Sequence, residues 1–536
     1  MSTNTRTRKI NTKKQNAVEN TSYENEETEN TSIGCYIKAR HIIVLMSFIA
    51  KFNSYSMRTN LSVAVVAMVN QTDENTSNNT SDVCPDHGSS EIDEIGENGS
   101  FNWDIGQESL LLGCYYYGYI ISNFVGGYLA KRFGIKLVLG ISMFLSSIVT
   151  ILSPPIAKAS FGLFVAARTL LGALQGPISP SVHAAIGKWI PPLELTKAVA
   201  IASSGNCIGT LVTLPVAGII ADQLGWEAVF YITGGIALPC SLLLIALVHD
   251  SPSDHPRISD EEKSYIEKTT GISQENLLQF QENDQPTPWK SIFTSIPLWA
   301  TTVGVFACNW ATHTYLSLLP TYMSSILRFN LAASGTLSAL PYLLQFLTLL
   351  VAGYFCDIIR QRRIAKTVTV RKVNSFLSLV IPSIFIVLAG YSGCNVVAAV
   401  SFFSISVAFL AFNVTSHEAN IIDLAPRYSG ITCGVINAIA NFPGFLAPQM
   451  AGLILLNGQT IQQWQYVFWM SAVVATVGFI FFAIFGSGQV QPWALLSDCN
   501  DTSISDIVSS SKVYERSENI PTFNKKEPTD VLNDKL

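Results

Sequence analysis

The chain alternates long apolar runs with short polar breaks, and the runs are longer than any strand or half-buried surface helix needs. A bilayer core takes about 20 apolar residues per helix. On that ruler roughly twelve spans stand out, near residues 41–69, 105–130, 134–157, 160–185, 197–221, 226–248, 297–323, 331–356, 373–390, 394–417, 429–456 and 464–486. The fold class predicted is therefore an all-α membrane protein. The polar stretch 249–296 divides the spans six and six, giving a first half over 41–248, a linker, a second half over 297–486 and polar tails over 1–40 and 487–536. Inside the linker, Ser259-Asp-Glu-Glu262 has capping-box spacing and predicts a short amphipathic helix through about Lys268.

The two halves echo each other. Gly127-Tyr-Leu-Ala-Lys-Arg-Phe-Gly-Ile-Lys136 follows the second span of its half, and Gly353-Tyr-Phe-Cys-Asp-Ile-Ile-Arg360 follows the second span of the other. Each places a glycine, a turn and basic residues at one membrane face. Parallel six-helix repeats moving against each other around a midplane site are a transporter architecture.

Charge fixes the expected orientation, because short basic loops stay cytosolic. Lys and Arg fall in the N-terminal tail, at Lys131, Arg132 and Lys136, at Lys188 and Lys197, and from Arg360 to Lys372, whereas residues 70–100 contain none. That bare loop holds the sequons at Asn70, Asn75, Asn78, Asn79 and Asn98, which are glycosylation acceptors only on the outer side. Both termini are accordingly expected in the cytosol, with residues 70–104 a glycosylated outer loop. No apolar stretch follows the basic start, so no cleaved signal peptide is expected.

Composition agrees. The chain is 49% hydrophobic and 13% charged, against about 25% charged for soluble domains. A net charge of -5 of mixed sign points to no nucleic-acid partner. The ten cysteines show no metal-ligand spacing; most lie in apolar segments, and Cys84 and Cys394 both fall on the expected outer side, where they could pair. No metal and no cofactor are expected. No Walker-type phosphate loop and no nucleophile, base and orienting group at recognisable spacing are present, which excludes direct ATP drive and an enzyme.

From about residue 36 to 495 the chain resembles the anion:cation symporter family of the major facilitator superfamily, which includes sialin, vesicular glutamate transporters and sodium-phosphate cotransporters. The resemblance is carried by Arg58-Thr-Asn-Leu-Ser-Val-Ala, Tyr117-Gly-Tyr-Ile, Gly126-Gly-Tyr-Leu, Ser179-Pro-Ser-Val-His183-Ala, Trp189-Ile-Pro-Pro-Leu-Glu194, Gly225-Trp-Glu-Ala-Val-Phe-Tyr231, Ser251-Pro-Ser-Asp-His-Pro, Thr287-Pro-Trp-Lys, Asn309-Trp310, Leu319-Pro-Thr-Tyr-Met323, Asp423-Leu-Ala-Pro-Arg-Tyr428 and Trp464-Gln-Tyr-Val-Phe468. It implies the twelve-helix major facilitator fold, alternating access, and cation-coupled transport of a small anion.

Candidate chemistry follows from charges retained in hydrocarbon, each of which costs at least about 2.5 kcal/mol on insertion scales. Arg58 lies mid-span in the first helix and Arg168 in the first half of the fourth. Both match arginines that the family uses for substrate recognition or gating, and a guanidinium suits a carboxylate or phosphate. Lys51, two turns before Arg58 on the same face, departs from the family and either extends an anion path or snorkels. Tyr115 and Tyr119 share a face in the second span, with Tyr117 nearby; anion contact and aromatic packing both fit them. His183 matches the family stretch Pro-x-x-His-Ala, as a proton sensor or a hydrogen-bonded structural histidine.

Departures from the family narrow the reading. Gln175 stands where acidic members carry a Glu linked to proton coupling, and an amide takes up no proton. Cys308 and Leu112 replace an arginine and a histidine of the vesicular glutamate transporters, and His313 replaces a tyrosine of the seventh span. At the end of span ten, His417-Glu418 precede Asn420 and Asp423, so Glu418 and His417 are candidates for the coupling role lost at Gln175. The expected substrate contacts are Arg58, Arg168, Tyr115, Tyr119, His313 and Asn420, with Lys51, Gln175, His183, His417 and Glu418 as coupling or gating residues. The expected function is secondary active symport of inorganic phosphate or an organic anion such as a sialic-acid-like carboxylate, driven by sodium or protons, by a monomer in the plasma membrane or an endosomal, lysosomal or vesicular membrane. An anion-binding receptor or channel of the same fold is the alternative.

Overall fold

The computed structural model describes residues 38–69, 100–103, 105–270, 287–325, 331–455 and 460–494. The five sequons, Cys84 and most of both tails lie outside the described residues. Cys394 is disulfide-bonded, and the other described cysteines are free.

From Ala39 onward the described residues form twelve long helices and no strand beyond one isolated bridge between Val69 and Phe101. They are α1 Ala39–Met68, α2 Ile105–Phe133, α3 Ile135–Ala159, α4 Phe161–Trp189, α5 Leu195–Leu224, α6 Trp226–Leu247, α7 Ile296–Ser325, α8 Leu331–Gln361, α9 Thr367–Gly390, α10 Val396–Leu424, α11 Pro426–Leu455 and α12 Ile461–Phe485. Their lengths run from 22 to 31 residues. At about 1.5 Å per residue each exceeds a hydrocarbon core of about 30 Å. Nine of the described helices are long and apolar enough to cross a membrane. Large apolar side chains such as Ile121, Leu224, Val397, Leu453 and Ile484 stand more than 60% exposed around the bundle, as suits a surface that meets lipid.

Each half has its own core. Trp189, Met143, Val182, Val199 and Ala237 pack together in the first half. In the second, Tyr322, Phe403, Trp464 and Phe468 interlock, with ring centroids 5.2–6.0 Å apart. Single glycines join α2 to α3 and α5 to α6: Gly134 and Gly225 hold φ of +88° and +86°, which an L side chain rarely adopts. Asp250 accepts the Lys136 N–H at 2.9 Å, capping α3 with a carboxylate.

The glycines of the repeated loops are where the halves cross. A Cβ on Gly127 would overlap the Gly430 backbone on α11, and one on Gly353 would overlap Ala200 on α5; small residues allow this approach. Four residues beyond Gly353, Asp357 accepts the N–H groups of Thr196 and Lys197 at 3.2 and 2.7 Å, seating a carboxylate on the N-terminus of α5. Asp423 joins this clasp, 2.7 Å from Arg371 and 3.7 Å from Arg360. Arg371 also reaches Thr196 Oγ1 at 3.3 Å and the Thr415 carbonyl. Four second-half charges thus hold the first half at the end of the bundle where the linker emerges. Lys131 occupies the repeat-equivalent position of Asp357 and lies 5.5 Å over the Tyr428 ring instead.

The linker helix forms over Asp260–Thr270. Ser259 Oγ accepts the Glu262 N–H at 3.2 Å, as a capping box requires, but the Glu262 carboxylate does not return the bond. It accepts the Ala39 and Arg40 N–H groups at 3.0 and 3.2 Å, capping α1 and fastening the linker to it.

Candidate functional site

Three of the long helices lose regularity at one level of the bundle. α4 breaks at Gly176–Pro177 between Gln175 and Ile178, α10 contains a π turn over Val414–Glu418, and α11 breaks at Asn441–Phe442. Such interruptions free backbone groups and redirect side chains, and they concentrate at functional sites. Here they surround a cavity of about 70 Å³ between the halves, whose walls include Lys51, Tyr55, Tyr119, Gln175, His183, Asn309, Glu418 and Asn437. At that volume it holds a few waters' worth of space, so an organic anion can occupy it only if the halves part.

On the wall from the first half, Gln175 Oε1 accepts from Tyr115 Oη at 2.8 Å and Ser54 Oγ at 3.1 Å. Its Nε2 is left with no partner. His183 Nδ1 lies 2.9 Å from the Ser179 carbonyl, and Nε2 is likewise unpartnered. Lys51 Nζ donates to Ser203 Oγ at 2.8 Å and lies 3.6 Å from Glu418 Oε2, which accepts from the same hydroxyl at 2.7 Å.

Beyond the cavity, Arg58 sits in an aromatic cage. Its guanidinium carbon is 5.1, 5.0, 4.7 and 5.7 Å from the ring centres of Tyr55, Tyr115, Tyr116 and Tyr119, a strong cation–π setting in a desolvated interior. Arg58 donates to Tyr116 Oη, which is 3.1 Å from His313 Nδ1 across the interface between halves. Tyr55 and Tyr119 touch Arg58 and also line the cavity. Among the described residues no carboxylate lies within ion-pairing distance of Arg58. A cation held by quadrupoles and hydroxyls alone keeps its charge available for an incoming anion.

Lys51, Tyr115, Tyr119, Gln175, His183, His313 and Glu418 thus gather at or around one interface. Three other expected residues do not. Arg168 is sealed inside the first half, donating to Met57 O at 3.3 Å and Asn60 Oδ1 at 3.1 Å, against Phe164 and Phe230. Asn420 is fully buried and donates to Thr301 Oγ1 at 3.0 Å, away from the cavity. His417 and Glu418 are not a pair: His417 is enclosed in the second half by Asn413 and Ser375, at 2.9 and 3.2 Å, and by the Phe482 ring, while Glu418 faces the first half. Tyr117 is 44% exposed. Sequence reasoning missed Tyr55, Tyr116, Ser203, Asn206, Asn309 and Asn437. For Tyr55 and Tyr116 the signal was present, as aromatic residues within one turn of Arg58 and Tyr115.

The sequence pattern of the Major Facilitator Superfamily matches residues 47–448. Human sialin is 38% identical over 458 residues, covering 85% of this chain and 91% of that protein. Human vesicular glutamate transporter 2 is 34% identical over 455 residues, covering 85% and 75%. Among solved structures, the proton:xylose symporter XylE aligns with a TM-score of 0.63 at 16% identity, covering 84% of this chain and 97% of that one, a likeness of fold alone. With its two six-helix halves, its interfacial cavity and relatives matched over most of their length, the chain belongs to the Major Facilitator Superfamily, in the family of sialin and the vesicular glutamate transporters.

Proposed function

We propose that the chain is a secondary active transporter of a small anion, coupled to a cation gradient and working by alternating access. The observation that carries this is Arg58: a permanent cation beside the interfacial cavity, caged by four tyrosines and, among the described residues, supplied with no carboxylate counter-ion. An uncompensated cation inside a bundle is costly, and an anionic substrate relieves that cost. Tyr116 and His313 carry the site into the second half, so occupancy is felt by both. The family relationship supports the same reading, since sialin and the vesicular glutamate transporters match this chain over most of their length.

Sodium and protons are both open as the coupling cation. The basic loops support cytosolic termini, and a plasma, endosomal, lysosomal or vesicular membrane fits the chain. Gln175 favours the second reading, an anion receptor or channel, because its amide is fixed by Tyr115 and Ser54 and takes up no proton.

Anion binding to the purified protein tests the site. Phosphate, sialic acid or glutamate is expected to raise the melting temperature of the wild type, and Arg58→Gln to abolish that rise while still melting cooperatively. A rise that survives Arg58→Gln places the anion elsewhere.

A further inference from the structure

Among the described residues lining the cavity, Glu418 is the one acid and Lys51 the one lysine or arginine. They are bound to each other, with Ser203 Oγ bridging them. Lys51 lies on α1 and Ser203 on α5, both in the first half; Glu418 lies on α10 in the second. The other titratable groups around Glu418 are His183 on α4, Tyr55 on α1, Cys207 on α5, Cys308 on α7, His417 beside it on α10 and Cys433 on α11. None of these is a carboxylate. The anion position on Lys51 is therefore filled by the protein itself, and the filling group ties one half to the other.

We propose that Glu418 is an internal stand-in for the transported anion on Lys51, and that the anion, by displacing it, creates the coupling-cation site. The inference rests on the anion-transport reading. Before binding, Lys51 and Glu418 balance to zero charge. When the anion takes Lys51 Nζ and the Ser203 hydroxyl, Glu418 is released with an unpaired negative charge in a low-dielectric cavity. A proton on its carboxylate oxygen, or a sodium ion beside it, restores zero. With Arg58 outside the sum, behind Tyr55 and Tyr119, anion without cation leaves the cavity-lining groups one charge negative, and cation without anion leaves them one charge positive. The two ligands consequently bind together, and only the doubly loaded state breaks the bridge between the halves. The π turn that ends at Glu418 supplies the freedom for the side chain to leave Lys51, since its backbone ladder is already interrupted. The coupling role that an acid at position 175 would hold has moved across the cavity to the second half.

The test is linkage between the two ligands. Anion affinity of the purified protein is measured by thermal shift with phosphate, sialic acid and glutamate, over a series of sodium concentrations and then a series of pH values. Accumulation of the same probes in liposomes is followed in parallel. In the wild type, apparent anion affinity is expected to rise tenfold for each tenfold rise of one of the two cations, until saturation. In Glu418→Gln that slope falls to zero, whatever the absolute affinity. In Lys51→Met, anion affinity falls at least tenfold, and Glu418→Asp, which keeps the carboxylate, retains the slope. The sodium and pH series name the cation. A Glu418→Gln protein that melts cooperatively and keeps the wild-type slope overturns the inference and leaves the transport reading standing. A wild type that neither binds nor accumulates any of the three anions overturns both.

Discussion

Replacing Asp357 with Asn should loosen the clasp at the linker end of the bundle and shift the protein toward the conformation open at that end. The Asp357 carboxylate, 3% exposed, accepts two N–H bonds from the first turn of α5, at 3.2 and 2.7 Å, and lies 3.6 Å from Arg360. Hydrogen bonds to a charged group contribute about 1.5–3 kcal/mol each, and an anion at a helix N-terminus adds about 0.3–1 kcal/mol. An asparagine oxygen keeps one bond and loses the charge, so the closed arrangement weakens by about 2–3 kcal/mol. At about 1.4 kcal/mol per factor of ten, that is a shift of roughly 30- to 150-fold between closed and open. The assay is alkylation of a single cysteine placed at Ser179 on the cavity wall, in a background with the other free cysteines replaced, by an impermeant reagent added from the linker side. The rate should rise by at least tenfold in Asp357→Asn. An unchanged rate in a protein of unchanged melting temperature would falsify the role assigned to this carboxylate.

Three further outcomes follow from named contacts. Tyr116→Phe removes the one hydroxyl that joins Arg58 to His313, a hydrogen bond to a charged donor, and should weaken anion binding by roughly ten- to a hundredfold on a contribution of about 1.5–3 kcal/mol; binding isotherms check it. Glu262→Gln weakens the cap on α1 and the contact with Arg40, and should lower stability by about 1–2 kcal/mol, read as a lower melting temperature and faster proteolysis within the linker. Gly127→Val forces a branched side chain into the Gly430 backbone, so the variant should insert into the membrane yet lose transport because the halves no longer approach, which a surface-expression assay paired with uptake would separate.

Much of this fold can be read from hydropathy, because the bilayer sets helix length and the linker divides the halves. Arg58, Lys51 and Glu418 can be read as well, since a charge in an apolar run is conspicuous. What escaped depends on phase. A helical wheel carried from Val396 through Asp423 assumes 3.6 residues per turn, but the wider π turn at Val414–Glu418 gives less rotation per residue and breaks that phase. His417 and Glu418 diverge because consecutive helical residues face different sides, and past the π turn Asn420 meets Thr301 rather than the cavity. Arg168 illustrates a different limit: its neutral partners Met57 O and Asn60 arrive from another helix, and nothing in the spacing within α4 tells an arginine facing a cavity from one sealed among helices. The Asp357, Arg371 and Asp423 clasp was hidden for the same reason, as its members lie on three helices and close only on folding. The paired glycine loops were its nearest sequence signal, because their repeat positions mark where the halves touch.

If the Arg58 site serves concentrative anion transport, the purified protein accumulates its anion in proteoliposomes. Labelled phosphate, sialic acid and glutamate would each be offered under an imposed sodium gradient and then an acid gradient, and the steady-state ratio of internal to external anion read before and after the gradient is collapsed. One of the three should accumulate well above its external concentration, the excess should drain when the gradient is collapsed, and Arg58→Gln should abolish it. Binding or current without accumulation under either gradient would instead make the protein an anion receptor or channel.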